Sequence, residues 1–141
     1  MEKVSIDMQN NESRSSEGGS LVVALMHSRT WAHIAHLSIT GPGSLAMHKA
    51  LNDYYDGIIG LIDRLVECAQ GCYCELLTYP QETAFVSPGA VDKEVLMAYF
   101  TALNERVEQD YQGVSQPALQ NIMADISELI CDTKYKLMFL Q

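Results

Sequence analysis

A chain of 141 residues has room for one domain, or for one domain and a short tail, so a two-domain enzyme is not expected. Apolar residues make up 48% of the chain and charged residues 19%, which predicts a packed core rather than a disordered chain. Eighteen acidic against nine basic residues give a net charge of −9. DNA binding is therefore not expected, because it depends on basic side chains that neutralise phosphates.

The first residues do not have the pattern of a secretion signal or a membrane span. Residues 1–20 are polar and acidic, and no apolar run in the chain approaches the roughly 20 residues that cross a bilayer. The same stretch lacks a sustained apolar period and ends in Gly-Gly-Ser, which predicts a flexible tail. We expect a cytoplasmic protein with free thiols and no membrane partner.

Two helices are predicted in the first half of the remaining domain, residues 21–141. The first covers residues 21–40, where small and apolar residues recur at helical spacing, and it ends at Gly41-Pro42-Gly43. The second begins with Ser44 as its cap, has an apolar stripe at alternating spacings of four and three residues, and ends at Gly71. An irregular connector is expected from Cys72 to Gly89.

Two further helices are predicted from signals that contain proline. Ser87-Pro88 predicts a third helix that continues to about Tyr111, and Ser115-Gln116-Pro117 predicts a fourth that runs to the C-terminus. Because no strand is predicted between the four helices, the fold class is all-α and the architecture is a four-helix bundle.

Ligand-type side chains lie along one edge of the second predicted helix. His48, Asn52, Asp63 and Glu67 fall within an arc of about 100° beside the apolar stripe. His36 lies near the end of the first predicted helix. The glycine-proline turn between the two helices is expected to bring His36 close to His48.

The length of the second helix decides how these side chains could share a metal ion. His48 and Asp63 lie about 22 Å apart along the helix, whereas a metal ligand lies about 2 Å from its ion. A two-fold dimer with antiparallel second helices would set His36 and His48 of one chain against Asp63 and Glu67 of the other. Each dimer would then have two identical intersubunit sites. Imidazole with carboxylate suits iron, manganese or zinc.

The residues from His36 to Glu67 resemble a motif of the Dps branch of the ferritin-like proteins. The run HLSITGPGSLAMH, then Tyr55-Asp56, then Asp63-x-x-x-Glu67, aligns without a gap with the pattern H-W-N-V-K-G-P-x-F-x-x-L-H, Y-D and D-x-x-A-E. This resemblance implies a ferritin-like subunit that is a ferroxidase. Its iron ligands would be His36, His48, Asp63 and Glu67, shared across a two-fold dimer within a dodecamer that stores ferric mineral.

Two positions depart from that pattern. Leu37 replaces a Trp, and Asn52 stands where an Asp usually contributes, so each site would have one negative charge fewer. Asn52 stays in the expected ligand set, but the alternative is a bundle that has lost its chemistry and serves as an assembly or interaction module. The segment that begins at His48 also resembles an uncharacterised family of small tailed-phage proteins. That resemblance implies the cytoplasm of an infected host and a phage or host protein partner.

Each candidate group also has a purely structural interpretation. A single histidine is commonly hydrogen-bonded within a fold, and Asp63 with Glu67 could be a solvated pair one turn apart, with Arg64 pairing another carboxylate. Three cysteines form the cluster C-x-x-x-C-x-C from Cys68 to Cys74, but the second pair of ligands typical of structural zinc sites is missing.

Overall fold

The computed structural model describes the backbone of residues 2–81 and 83–141, and the side chains of residues 13–81 and 83–141. It contains four α-helices: α1 (Glu2–Ser38), α2 (Ser44–Tyr73), α3 (Lys93–Gln112) and α4 (Pro117–Phe139). None of the described residues lies in a strand. The predicted all-α four-helix bundle is therefore confirmed. No helix in the described part of the chain is long and apolar enough to span a membrane.

The core lies between the four helices and is formed by their inward-facing apolar stripes. The apolar stripe predicted for α2 included Tyr55, but Tyr54 is buried in its place, so the spacing after Leu51 is three and then four residues rather than four and then three. Tyr54 and Phe100 are the largest fully buried side chains, and their rings meet edge to face with centroids 4.8 Å apart. Removal of this apolar surface from water is the main force that holds the helices together.

Polar contacts between helices show the direction of each element. Lys136 pairs with Asp53 (3.3 Å), and Arg64 pairs with Asp125 (3.4 Å), so α4 runs antiparallel to α2. The Lys93 ammonium donates to the carbonyl of Met138 (2.9 Å), which places the start of α3 beside the end of α4. It follows that α3 runs parallel to α2. Residues 74–92, here called the crossover, therefore return along the length of the bundle.

The crossover lies against α1, with contacts from Ser15 to His27. The amide of Thr78 donates to the carbonyl of Ser15 (3.4 Å), and the ring of Phe85 meets His27 edge to face at 5.5 Å. A Cβ atom added at Gly19 would overlap the carbonyl oxygen of Thr78, so the two backbones approach as closely as only glycine allows. Gly19 therefore fixes where the crossover packs.

The flexible tail predicted for residues 1–20 is wrong for residues 13–20. These residues belong to α1, and Ser15 and Gly19 are buried beneath the crossover. Glycine and serine have low helix propensity, but tertiary packing outweighs it here. The side chains of residues 1–12 lie outside the described part, and so does the corresponding part of the prediction.

The third helix begins later than its predicted start at Ser87-Pro88. Both residues lie in the crossover, and the N-cap of α3 is Asp92, whose carboxylate accepts a hydrogen bond from the amide of Val95 (2.8 Å). The connection has to return along α2, a helix about 45 Å long at 1.5 Å per residue. Residues 88–92 form the last part of this return, so α3 begins only after them.

A buried hydroxyl pair joins α1 to α2 and provides a stability test. Ser28 donates its proton to the carbonyl of Leu25 (2.6 Å), so the Tyr54 hydroxyl is the donor to Ser28 Oγ (2.6 Å). Tyr54→Phe is expected to lower the free energy of unfolding by about 1 kcal/mol, measured by urea denaturation. Tyr135→Phe, at an exposed tyrosine, is the control. Equal losses in the two variants would contradict the assignment.

The same substitution should change how stability depends on alkaline pH. Burial raises the pKa of Tyr54, and the hydrogen bond with Ser28 opposes the rise only in part. The phenol of unfolded Tyr54 titrates at about pH 10. The stability that the protonated, buried phenol contributes is therefore complete below that pH and is lost as the pH rises further. The stability of Tyr54→Phe should therefore decline less steeply above about pH 10 than that of the unmodified protein.

Candidate functional site

The turn between α1 and α2 brings the two predicted histidines together. Gly41 and Gly43 have φ angles of 92° and 79°, a left-handed conformation that glycine adopts without steric cost. The amide of Ser44 donates to the carbonyl of Gly41 (3.1 Å) and closes the turn. The two helices then run antiparallel, so that the end of α1 packs against the start of α2.

His36 and His48 are joined by a reciprocal pair of hydrogen bonds. Nδ1 of His36 lies 2.8 Å from the carbonyl oxygen of His48, and Nδ1 of His48 lies 3.0 Å from the carbonyl oxygen of His36. Because a carbonyl oxygen can only accept, each Nδ1 must carry the proton. In the neutral rings each Nε2 then has a free lone pair. This tautomer is the one in which a histidine typically binds a metal, with its other nitrogen held by a carbonyl group.

The two imidazole rings also pack against each other. Their centroids are 3.5 Å apart and their planes differ by 24°. The rings of Tyr55 and His36 meet edge to face with centroids 5.2 Å apart, and the ring of His33 stacks on that of Tyr55 at 4.4 Å. A ring nitrogen presents its lone pair in the plane of the ring. The Nε2 atoms of His36 and His48 can therefore bind the same ion only if one of the two nearly parallel rings tilts towards the other.

Asn52 belongs to a hydrogen-bond chain one turn after His48. Its carbonyl oxygen accepts from the Tyr55 hydroxyl (2.6 Å), and its amide donates to the carboxylate of Asp56 (3.0 Å). Asp56 therefore supplies a carboxylate close to the position where the resemblance expects one. Sequence reasoning did not assign Asp56 to the site, although the spacing of one turn between His48, Asn52 and Asp56 was visible.

Asp63 and Glu67 are not brought to the histidines of their own chain. Both are exposed in the second half of α2, and Asp63 lies 15 residues after His48 along the same helix. Arg64, which lies between them, pairs with Asp125 of α4, as the structural interpretation allowed. Across the described residues of one chain, no three His, Cys, Asp or Glu side chains form a group that could hold a metal ion.

A cavity of about 310 Å³ lies at the other end of the bundle, between all four helices. Its walls are mainly apolar and include Val22, Leu65 and Met123, and its rim includes Glu17 and Asp110. Burial raises the pKa of the Asp110 carboxyl, and the ion pair with Arg106 opposes that rise. The cavity is distant from the histidines, because it is built from the opposite ends of the helices.

The comparisons with known proteins concern the part of the chain after the glycine turn. Residues 41–137 match the family described as a family of unknown function, DUF5856. The match begins at Gly41, so it includes His48, Asn52, Asp63 and Glu67 but not His36. No curated protein and no solved structure matches the chain. Since the match covers more than half of its residues, the chain belongs to DUF5856, a family whose function is unknown.

Proposed function

We propose that the protein is a ferritin-like subunit that binds and oxidises Fe²⁺ at sites shared between two copies. In this proposal, His36 and His48 of one copy face Asp63 and Glu67 of the other, across a two-fold axis along α2. The observation that carries the proposal is the pair of Nδ1-to-carbonyl hydrogen bonds, which leaves both Nε2 lone pairs available for a metal. Asn52 contributes an amide oxygen at the edge of the site.

The topology and the charge of the chain support this proposal. Parallel α2 and α3 joined by one long crossover are the arrangement of ferritin-like bundles, whereas bundles with only short loops alternate in direction. Asp63 and Glu67 are exposed and lie far along α2 from the histidines of their own chain. Their carboxylates are therefore accessible to a second copy. A net charge of −9 favours the accumulation of cations near the surface.

The chemistry assigns a separate role to each donor. The imidazoles hold Fe²⁺ and the Glu67 carboxylate stabilises the product Fe³⁺, because hard anionic oxygen binds the more highly charged ion better. Each Fe²⁺ loses one electron, and one peroxide accepts two electrons with two protons to give two waters. Oxygen is the other candidate oxidant. Mn²⁺ and Zn²⁺ suit the same donor set, and a dodecamer that stores the ferric mineral is the assembly we propose.

The test is an anaerobic Fe²⁺ titration, followed by addition of oxidant, with bound iron counted per chain. We expect saturation near one or two irons per chain, and loss of uptake in His48→Ala and in Glu67→Ala with the oligomer intact. His27→Ala and Glu128→Ala are matched controls, because they remove the same side-chain types from other parts of the bundle. Unchanged uptake in both site variants would contradict the ligand assignment.

A further variant, His48→Asn, separates metal binding from the structural role of His48. In His48→Asn the side-chain amide can replace Nδ1 as donor to the carbonyl of His36, but nothing replaces Nε2. We therefore expect His48→Asn to keep its stability and lose Fe²⁺. If it keeps both, the histidine pair only braces the hairpin.

The competing function is that of an assembly or interaction module without metal chemistry. It is favoured by exposed apolar side chains beside the histidine pair, since Leu37 is 73% exposed and Leu45 is 66% exposed. The partner would be a further copy of the chain, or a phage or host protein. Iron uptake no greater than that of a serum albumin control would favour this second function over the first.

A further inference from the structure

Two thiols lie side by side near the C-terminal end of α2. Cys68 and Cys72 are one helical turn apart, and their Sγ atoms are separated by 3.9 Å. Cys72 is exposed and Cys68 is half-buried, so the pair can be reached from solvent. The thiols follow Arg64, which pairs with α4, and they therefore lie on the α4 side of α2.

The separation of the two sulfur atoms matches the edge of a tetrahedral metal site. Zinc binds thiolate sulfur at about 2.3 Å, and two such bonds at the tetrahedral angle place the sulfurs about 3.8 Å apart. The 3.9 Å between Cys68 Sγ and Cys72 Sγ is within about 0.1 Å of that value. No change of backbone is needed to bring both sulfurs to one ion.

A third thiol, that of Cys74, follows the pair at the end of α2. Cys74, the C-cap, adopts a left-handed conformation with φ of 52°, and its thiol is turned towards the carbonyl of Gly71 (3.6 Å). Cys74 is therefore separate from the pair.

We propose that Cys68 and Cys72 chelate a thiophilic divalent cation of the Zn²⁺ type. Binding replaces two S–H protons by two metal–sulfur bonds and releases two protons, without any change of oxidation state. Water occupies the remaining positions of the tetrahedron, because Cys72 faces solvent. The site uses none of the histidines and carboxylates of the proposed iron site, so either site can exist without the other.

The test uses Co²⁺ as a spectroscopic substitute for Zn²⁺, added anaerobically to the fully reduced full-length protein. Thiolate ligands give a near-ultraviolet charge-transfer band with Co²⁺, whereas imidazole and carboxylate ligands do not. We expect this band in the unmodified protein, its loss when Zn²⁺ is added, and its absence in Cys68→Ser and in Cys72→Ser. Circular dichroism checks that both variants remain folded.

Matched controls make the outcome decisive. Cys74→Ser and Cys131→Ser remove the other two thiols and should keep the band. His48→Asn should also keep it, which separates this site from the proposed iron site. The proposal fails if the unmodified protein gives no band, if Cys68→Ser and Cys72→Ser retain it, or if either control thiol proves equally necessary.

Discussion

Gly19→Ala is expected to lower the free energy of unfolding by about 3 kcal/mol, the upper range for forcing extra atoms into a packed site. The usual effect of glycine to alanine inside a helix has the opposite sign and is about 1 kcal/mol stabilising. The sign reverses here because the new Cβ would overlap the Thr78 carbonyl, whose carbon would lie 2.7 Å away. Since the obstacle is backbone, the crossover has to leave α1.

Alanine substitutions at two other helical glycines serve as controls for Gly19→Ala. At Gly18 an added Cβ meets a methyl group of Leu77 at 3.1 Å, which can move, and at Gly71 it meets no atom within 4 Å. Urea denaturation should give a small change for Gly18→Ala and a gain in stability for Gly71→Ala. Limited proteolysis should cleave the crossover faster only in Gly19→Ala. Equal stability of the Gly18 and Gly19 variants would show that the crossover does not pack as described.

Two inactive variants are expected to restore iron binding when they are refolded together. One variant, His36→Asn with His48→Asn, lacks the imidazoles, and the other, Asp63→Ala with Glu67→Ala, lacks the carboxylates. In a two-fold dimer, a mixed pair has one site with all four native ligands and one site with none. Random pairing makes about half of the dimers mixed, so about a quarter of the native Fe²⁺ capacity should return.

The result of this mixing distinguishes shared sites from sites within one chain. Each variant refolded alone should bind no Fe²⁺, and the unmodified protein refolded in the same way gives the reference capacity. If the ligands of one site all came from the same chain, mixing would restore nothing. Recovery well above a quarter would contradict the two-fold pairing, whereas no recovery with intact mixed dimers would contradict the shared site.

Much of the fold was predictable because apolar spacing reports which helix faces are buried. The stripe from Leu51 to Ala69 gave α2, and the glycine-proline turn gave its antiparallel partner. The choice between Tyr54 and Tyr55 could not be made from spacing alone, since adjacent residues both lie close to the edge of the apolar arc. The start of α3 and the packing of residues 13–20 depend on the path of the crossover, which no local pattern contains.

The approximate positions of the candidate site residues were also predictable from the sequence, but their hydrogen bonds were not. The proximity of His36 and His48 followed from the turn, and the distance from His48 to Asp63 followed from the helical rise. The reciprocal hydrogen bonds to backbone carbonyls depend on the register between α1 and α2 and on side-chain rotamers, neither of which is encoded in spacing. The link from Asn52 to Asp56 was accessible from the sequence, because i, i+4 pairs face each other on a helix.

The parallel arrangement of α2 and α3 also has a consequence for the order in which the chain folds. The α1–α2 and α3–α4 hairpins close through turns of a few residues, so each can form early at a small entropic cost. Contacts between the hairpins join residues much farther apart, such as Arg106 and Ser20, which are separated by 86 positions. Docking of the two hairpins, rather than formation of the helices, is therefore the step expected to set the folding rate.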